Sequence, residues 1–186
     1  MRDAAVRLAE PGDAPSVALL LHDSNTEFGE PVPEAGELAR RLRGLIESAA
    51  ITVLLAEGEG LVILRFQPSL LSESLDCYLE ELYVVPARRR CRIGTALMNA
   101  ALGYARDSGA GYVYLGTGED DVGARALYEG LGFSNQGGDA GGPHKLQCGP
   151  VDSVGVPHRP APLVLLARLS PLSGWSRWPP RRRGRP

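Results

Sequence analysis

The stretch ARRRCRIGT, residues 87–95, places four arginines (Arg88, Arg89, Arg90 and Arg92) just before an apolar, helix-patterned segment. Where a chain turns into a helix, successive backbone N–H groups, here from Arg90 to Thr95, can converge on one anion. The positive end of the helix dipole falls at the same place. The arginines raise the local potential further, which suits a doubly charged pyrophosphate and a ribose 3′-phosphate beside it. On composition alone, such a run is more often a solvated, arginine-rich turn. Just upstream, YLEELYVV (residues 78–85) carries two adjacent carboxylates. Strict alternation along a strand puts Glu80, Leu82 and Val84 on one face and Glu81, Tyr83 and Val85 on the other. Downstream, Tyr128 lies one helical turn beyond Ala124, a spacing that by itself describes a core aromatic.

These residues need a frame. AVRL at residues 5–8 reads as an edge strand, followed by a turn signal. Asp13 is placed to cap a helix carrying Val17, Leu20 and Leu21. Leu38, Leu42, Leu45 and Ile46 predict a second helix over 34–48. ITVLLAEGEGLVILRF predicts a hairpin about Gly58-Glu59-Gly60. LDCYLEELYVVP is a long strand stopped at Pro86. Residues 93–108 have helical spacing, with Gly109 as their stop. GYVYLGTG is another strand. DDVGARALYEGLGF is a short helix capped by Asp120 or Asp121 and ended by Gly132. The predicted order is β-α-α-β-β-β-α-β-α, a mixed α/β (α+β) fold with a central mixed sheet flanked by helices.

The chain of 186 residues is 44% apolar and 23% charged, with a formal net charge of −2. That balance argues against a nucleic-acid partner held by global charge. Cys77, Cys91 and Cys148 are odd in number and widely spaced, which favours neither a disulfide framework nor a zinc site. His22, His144 and His158 have no metal-like spacing, so no metal is expected. No apolar run approaches a membrane span and the N-terminus lacks a signal-peptide core. A cytoplasmic protein with no membrane partner is therefore expected. From residue 154 onward there is no Asp or Glu, while seven Arg and seven Pro accumulate with Trp175 and Trp178. Residues 1–150 are read as the folded domain. Residues 151–186 are read as an atypical Pro/Arg-rich tail, disordered or supplying one late strand from APLVLLARLS; a shifted reading frame would also produce such an ending.

YLEELYVVPARRRCRIGTALM followed by DDVGARALYEGLGF resembles the GNAT superfamily of acetyl-CoA-dependent N-acetyltransferases. The family pattern is a strand ending L-x-V-x-P, a loop Arg/Gln-x-x-Gly-x-Gly/Ala, a helix, a strand, then N-x-x-A-x-x-L-Y-x-x-x-G-F. Leu82, Val84 and Pro86 match the strand; Arg89 and Gly94 match the loop; Ala124, Leu127, Tyr128, Gly132 and Phe133 match the last helix. The resemblance runs from about residue 51 to 134. Arg92 stands where the family has its first loop glycine, and Asp121 where it has asparagine.

The resemblance implies acetyl transfer from acetyl-CoA to a primary amine by direct attack, without an acyl-enzyme on Cys91. It implies that Val84, Val85 and the run Arg89, Arg90, Cys91, Arg92, Ile93, Gly94 and Thr95 hold the coenzyme. A backbone bulge at Val84 would free an amide for the thioester oxygen. By similarity to polyamine acetyltransferases, Glu80 is the candidate base, acting directly or through a water. Glu81 is a candidate for holding a cationic acceptor and reads equally as an ordinary surface carboxylate. Tyr128 matches the family tyrosine that faces the coenzyme sulfur, the candidate proton donor to the leaving thiolate. In the family the first two helices border the acceptor cleft. The acidic run Asp23, Glu27, Glu30, Glu34 and Glu37, together with similarity to aminoglycoside 3-N-acetyltransferases, therefore implies a cationic amine such as a polyamine or aminoglycoside. A solvated acidic loop is the commoner reading of such a run, and protein N-termini or lysines remain open as acceptors. The family normally ends in two further strands; SNQGGDAGGPHKLQCGPVDS is a weak strand candidate. A homodimer is compatible with the family. The rival reading is a GNAT-fold module that binds acyl-CoA or a partner without turnover.

Overall fold

The computed structural model describes residues 5–70, 72–118, 121–135 and 144–148. The predicted elements are all present: β1 (Val6–Leu8), α1 (Ala14–Glu27), α2 (Ala35–Glu47), β2 (Thr52–Ala56), β3 (Gly60–Pro68), β4 (Leu75–Val84), α3 (Ile93–Asp107), β5 (Ala110–Thr117) and α4 (Val122–Gly130). Two strands follow, β6 (Phe133–Asn135) and β7 (His144–Cys148). β7 falls inside the segment whose composition made it a weak candidate. It is paired on both sides, to β5 and to β6, so two hydrogen-bond ladders hold it where β-branched residues are missing. The predicted tail, 151–186, and its late strand lie outside the described residues. Among the described residues, no helix is long and apolar enough to cross a membrane.

The sheet runs β1-β2-β3-β4-β5-β7-β6. Its neighbours are antiparallel except β4 and β5, which are parallel and joined through α3. Each face carries its own core. On one, Ile93, Leu97, Met98, Ala101 and Ala105 form the buried stripe of α3 and pack on Val62, Leu64, Cys77, Leu79, Val113 and Leu115, with Tyr128 and Phe133 closing the layer. On the other, Val17, Ala18 and Leu20 of α1 and Leu42 of α2 cover Val53, Leu55, Leu61, Ile63 and Tyr83. Each large aliphatic side chain so buried contributes about 1.5–3 kcal/mol.

Two local expectations are corrected. Asp13 stands at the N-cap of α1 but its side chain makes no capping hydrogen bond there: it ends a 3₁₀ turn (Pro11–Asp13), accepts the Glu10 N–H at 2.8 Å and pairs with Arg7 at 2.7 Å. That guanidinium holds the Asp13 carboxyl down at about 2. More consequential is β4. Opposite β3, Ile63 faces Glu81 while Leu64 faces Leu79, so Glu80 is an extra residue in the ladder. Alternation therefore breaks there. Leu79 and Leu82 face the same core, and both carboxylates turn to the α1 side, where Glu80 meets Arg65 and Glu81 meets Ser24.

Candidate active site

β4 and β5 are hydrogen-bonded only from Leu75/Ala110 to Leu79/Leu115. Beyond that point β5 continues with β7 through Gly116 and Thr117, while β4 from Glu81 to Val84 keeps only β3. The two parallel strands thus separate at the bulge, leaving one backbone edge of β4 without a strand partner among the described residues. A bulge at Val84 was expected; the irregularity lies at Glu80.

The α3 side of this opening carries the arginine loop. Pro86–Arg88 form a 3₁₀ turn, then Arg90 and Arg92 both adopt left-handed backbone, with φ 65° and 64°. Arg92 keeps the conformation that favours the family's glycine, at a cost of roughly 1–2 kcal/mol for a residue bearing a Cβ. Among the described residues, nothing accepts a hydrogen bond from the backbone N–H groups of Arg90 through Thr95. The first N–H to be used is that of Ala96, which donates to the Arg92 carbonyl at 2.9 Å. Gly94 permits close packing at this helix mouth. A Cβ there would lie 3.3 Å from Leu127 Cδ2 and 3.8 Å from Val84 Cγ2.

The four arginines divide into two pairs. Arg88 binds Glu59 at 2.5 Å. Arg89 turns to Glu27 at the end of α1, donating from both Nη atoms at 2.7 and 2.6 Å, with its Nε on the Val84 carbonyl at 3.0 Å. It also lies 5.8 Å from the centre of the Tyr83 ring. Its own N–H donates to the Pro86 carbonyl at 3.3 Å. Arg90 and Arg92 are exposed, with no side-chain partner among the described residues.

The α1 side carries the carboxylates. Ser24, buried on α1, donates to Glu81 Oε1 at 2.8 Å. Burial pushes the Glu81 carboxyl above its ordinary range, and the Glu80 charge adds to this, while the Ser24 hydrogen bond opposes it. Glu80 is more exposed and holds Arg65 through Nε and, at 3.2 Å, through Nη2. Tyr128, buried in α4 with its ring 5.8 Å from that of Phe133, has its phenol pushed well above the usual range. Burial is the main cause; the charges of Asp121 and Glu81 act in the same direction. Tyr128 is therefore a protonated donor at neutral pH, within electrostatic reach of Glu81. Asp121, not Asp120, caps α4, accepting the Ala124 N–H at 2.9 Å.

Sequence reasoning missed Ser24 and Arg65, and placed Glu27 in the acidic run without its partner Arg89. Arg65 had a weak signal, since it alternates with Leu61 and Ile63. Of the acidic run, Glu27 is engaged by Arg89 and Glu34 caps α2 through the Gly36 N–H at 3.1 Å. Among the described residues, Asp23, Glu30 and Glu37 make no such pairing.

Parallel strands that part beside a helix mouth, with unpaired amides on one side and a half-buried carboxylate on the other, form an open α/β cleft. Residues 18–133 match the model of the acetyltransferase (GNAT) family. A Bacillus subtilis (strain 168) protein, the uncharacterized N-acetyltransferase YhfO, is 30% identical over 137 residues, 72% of this chain and 91% of the relative. The crystal structure of a protein from Arthrobacter sp. FB24 assigned as an acetyltransferase is 40% identical with a TM-score of 0.66, over 75% of this chain and 90% of that one. An aminoglycoside acetyltransferase, meta-AAC0020, from an uncultured soil metagenomic sample in complex with sisomicin shares the fold. Its TM-score is 0.60 at 17% identity, over 86% of this chain and 96% of that one. The chain belongs to the GNAT acetyltransferase family and is an acyltransferase.

Proposed function

We propose that the protein moves an acetyl group from acetyl-CoA to a primary amine borne by a cationic small molecule. The observation that carries this reading is the parting of β4 from β5 at Glu80, with the unpaired loop amides on one side of the sheet and Glu81 on the other. Acetyl-CoA supplies the thioester. The N–H groups of Arg90 to Thr95 hold its diphosphate, and Arg90 and Arg92 add positive charge there. The free edge of β4 through Val84 and Val85 offers backbone groups to the amide-bearing arm, as a neighbouring strand would. Arg89 contributes by fixing the Val84 carbonyl and the end of α1.

The roles expected of the two carboxylates are better exchanged. Glu81, half-buried with its carboxyl raised, is matched to taking a proton from an ammonium group near neutral pH. Glu80 is engaged in an ion pair with Arg65 and lies where it can orient the acceptor's charge. In the proposed reaction Glu81 takes one proton from the ammonium, and the freed amine forms its bond to the acyl carbon as the carbon–sulfur bond breaks. Tyr128 gives its proton to the departing sulfur, and the second proton lost by the nitrogen restores the Tyr128 phenol, leaving the amide and CoASH, with the Glu81 proton passing to solvent. The acidic groups Asp23, Glu30 and Glu37 support a cationic acceptor. The exposed Cys91 is not needed.

Calorimetry with acetyl-CoA, followed by measuring CoASH release over a panel of amines, tests the proposal. Binding together with amine-dependent release is expected. Binding without release above hydrolysis would favour the non-catalytic module, and no binding would defeat both readings.

A further inference from the structure

Three tyrosines belong to neither hydrophobic core. The sheet register places Tyr78 between Arg65 on β3 and Tyr114 on β5, and Asp76 between Gln67 and Tyr112. Because Cys77, Leu79, Val113 and Leu115 point into the α3-side core, alternation turns Tyr78, Tyr112 and Tyr114 to the α1 side. There α1 and α2 cover Leu61, Ile63 and Tyr83, and the three tyrosines lie past that cover, half-buried. The rings of Tyr78 and Tyr114 are 5.1 Å apart and those of Tyr112 and Tyr114 are 6.4 Å apart, each pair inclined by 31°. Small successive tilts of this kind make a shallow shelf. Gln67 Nε2 donates to the Tyr114 hydroxyl at 3.1 Å and fixes its orientation. Burial raises the Tyr78 and Tyr114 phenols, so both rings are neutral at neutral pH. Tyr78 lies just before Glu80 and Glu81 on β4, opposite the Arg65 that pairs with Glu80 and turned to the same side as Glu81, so the shelf begins beside the proposed proton acceptor.

We propose that this shelf is the acceptor subsite, taking a primary amine whose skeleton carries a flat-faced ring, with the nitrogen at Glu81 and the ring on Tyr78 and Tyr114, in preference to a linear polyamine. The inference rests on the reading of Glu81 given above and names the substrate class of that site. Aromatic faces favour offset stacking against another flat apolar face. Arg65, directly opposite Tyr78, puts a guanidinium on the shelf's border. Glu80 pairs with it through Nε and Nη2, so this border offers no free carboxylate to a second ammonium. An extended polycation gains no ion pair there, whereas a ring meets a stacking surface. An aryl ring and the C–H face of an amino sugar present the same chemistry, and the test separates them.

The full chain with selectively labelled tyrosine rings, saturated with CoA, is titrated with phenethylamine, glucosamine and spermidine while ring resonances are followed by NMR. Acetyl transfer to the same amines and to ethylamine is measured in parallel. The Tyr78 and Tyr114 signals should move with phenethylamine or glucosamine, whichever moves them identifying the ring, and not with spermidine. In Tyr114→Leu, and independently in Tyr78→Leu, the kcat/KM ratio of the ring-bearing amine to ethylamine should fall about 10-fold. Spermidine as the better acceptor, a fall shared equally by ethylamine, or silence of both ring signals with both ring-bearing amines would overturn the proposal. So would ring signals that respond only to protein concentration, since a second copy would then cover the shelf. Ring signals that move without CoASH release from any amine would uphold the shelf and defeat the catalytic reading, so the two failures are distinguishable.

Discussion

Removing one hydroxyl separates the two carboxylates. Ser24→Ala deletes a 2.8 Å hydrogen bond from a buried donor to Glu81 and leaves Glu80, Arg65 and the surrounding apolar packing in place. A hydrogen bond to a charged acceptor contributes about 1.5–3 kcal/mol, and a protonated carboxyl retains part of it, so the differential loss is about 1.4 kcal/mol. The carboxylate form is the one disfavoured. The Glu81 carboxyl, already raised by burial, rises further, and the acid limb of kcat/KM moves to higher pH. At a pH on that limb the variant should be about tenfold slower, while on the alkaline plateau its rate should be near that of the wild type. Stability gives a second readout with a fixed sign. A carboxyl raised in the folded state destabilises the fold as pH rises through its folded value, so the Tm deficit of Ser24→Ala should be small in acid and grow toward neutral pH. A pH–rate profile of acetyl transfer and thermal unfolding at several pH values measure both. An acid limb that stays in place while the neutral-pH Tm falls would refute the assignment of Glu81 as the base, because the hydrogen bond would then be structural only.

Tyr128→Phe should lower turnover by about 100-fold with acetyl-CoA affinity nearly unchanged, and an unchanged rate would remove the phenol from the proton-donor role. Arg92→Gly relieves a left-handed backbone at the expense of unfolded-chain entropy, for a net stabilisation of about 0.5 kcal/mol. It should also weaken acetyl-CoA binding and flatten its salt dependence; an unaltered salt slope in calorimetry would place Arg92 away from the phosphates. Gly60→Ala sets a Cβ 2.4 Å from the Tyr83 carbonyl oxygen and 3.2 Å from Val84 Cα, which forces β3 from β4. A loss of about 1–3 kcal/mol in denaturant unfolding is expected, with weaker coenzyme binding because Val84 moves. Glu27→Gln ends a bidentate but largely exposed ion pair that lowers the Glu27 carboxyl. Its cost, below about 1 kcal/mol, should be present at neutral pH and vanish in acid, where the wild-type carboxyl is itself protonated.

Much of the frame was legible because its signals are local. Pro86 stops β4, Gly109 stops α3, and the stripe Ile93, Leu97, Ala101 has the period of a helix with one buried face. Tyr128 could be placed because Ala124, Leu127, Gly132 and Phe133 surround it at fixed spacing. The face of Glu80 could not be read, since a bulge exists only relative to a partner strand and one extra residue reverses alternation. Partners brought together from 57 and 62 residues apart, Ser24 with Glu81 and Arg89 with Glu27, leave no local pattern. The arginine run was legible as a charge cluster; which arginines are spent on internal pairs depends on where Glu59 and Glu27 arrive in the fold.

Those two long-range contacts bear on how the cleft is assembled. Ser24 and Glu27 lie one turn apart on α1, a rise of about 5 Å, so they project from one face of the helix. One holds Glu81 and the other holds Arg89, which in turn holds the Val84 carbonyl. Apolar packing through Val17, Ala18 and Leu20 brings α1 to the sheet, but such contacts tolerate small slides. Directional bonds at the helix's last two turns do not. The end of α1 is thereby registered against both ends of the open β4 edge, the carboxylate where it begins and the carbonyl where it meets the loop. Arginine at position 89 fits this task better than lysine would, because its fork spans two Glu27 oxygens while its Nε remains for the backbone. Arg89, which the family resemblance implies in coenzyme binding, thus ties the arginine loop to the end of α1.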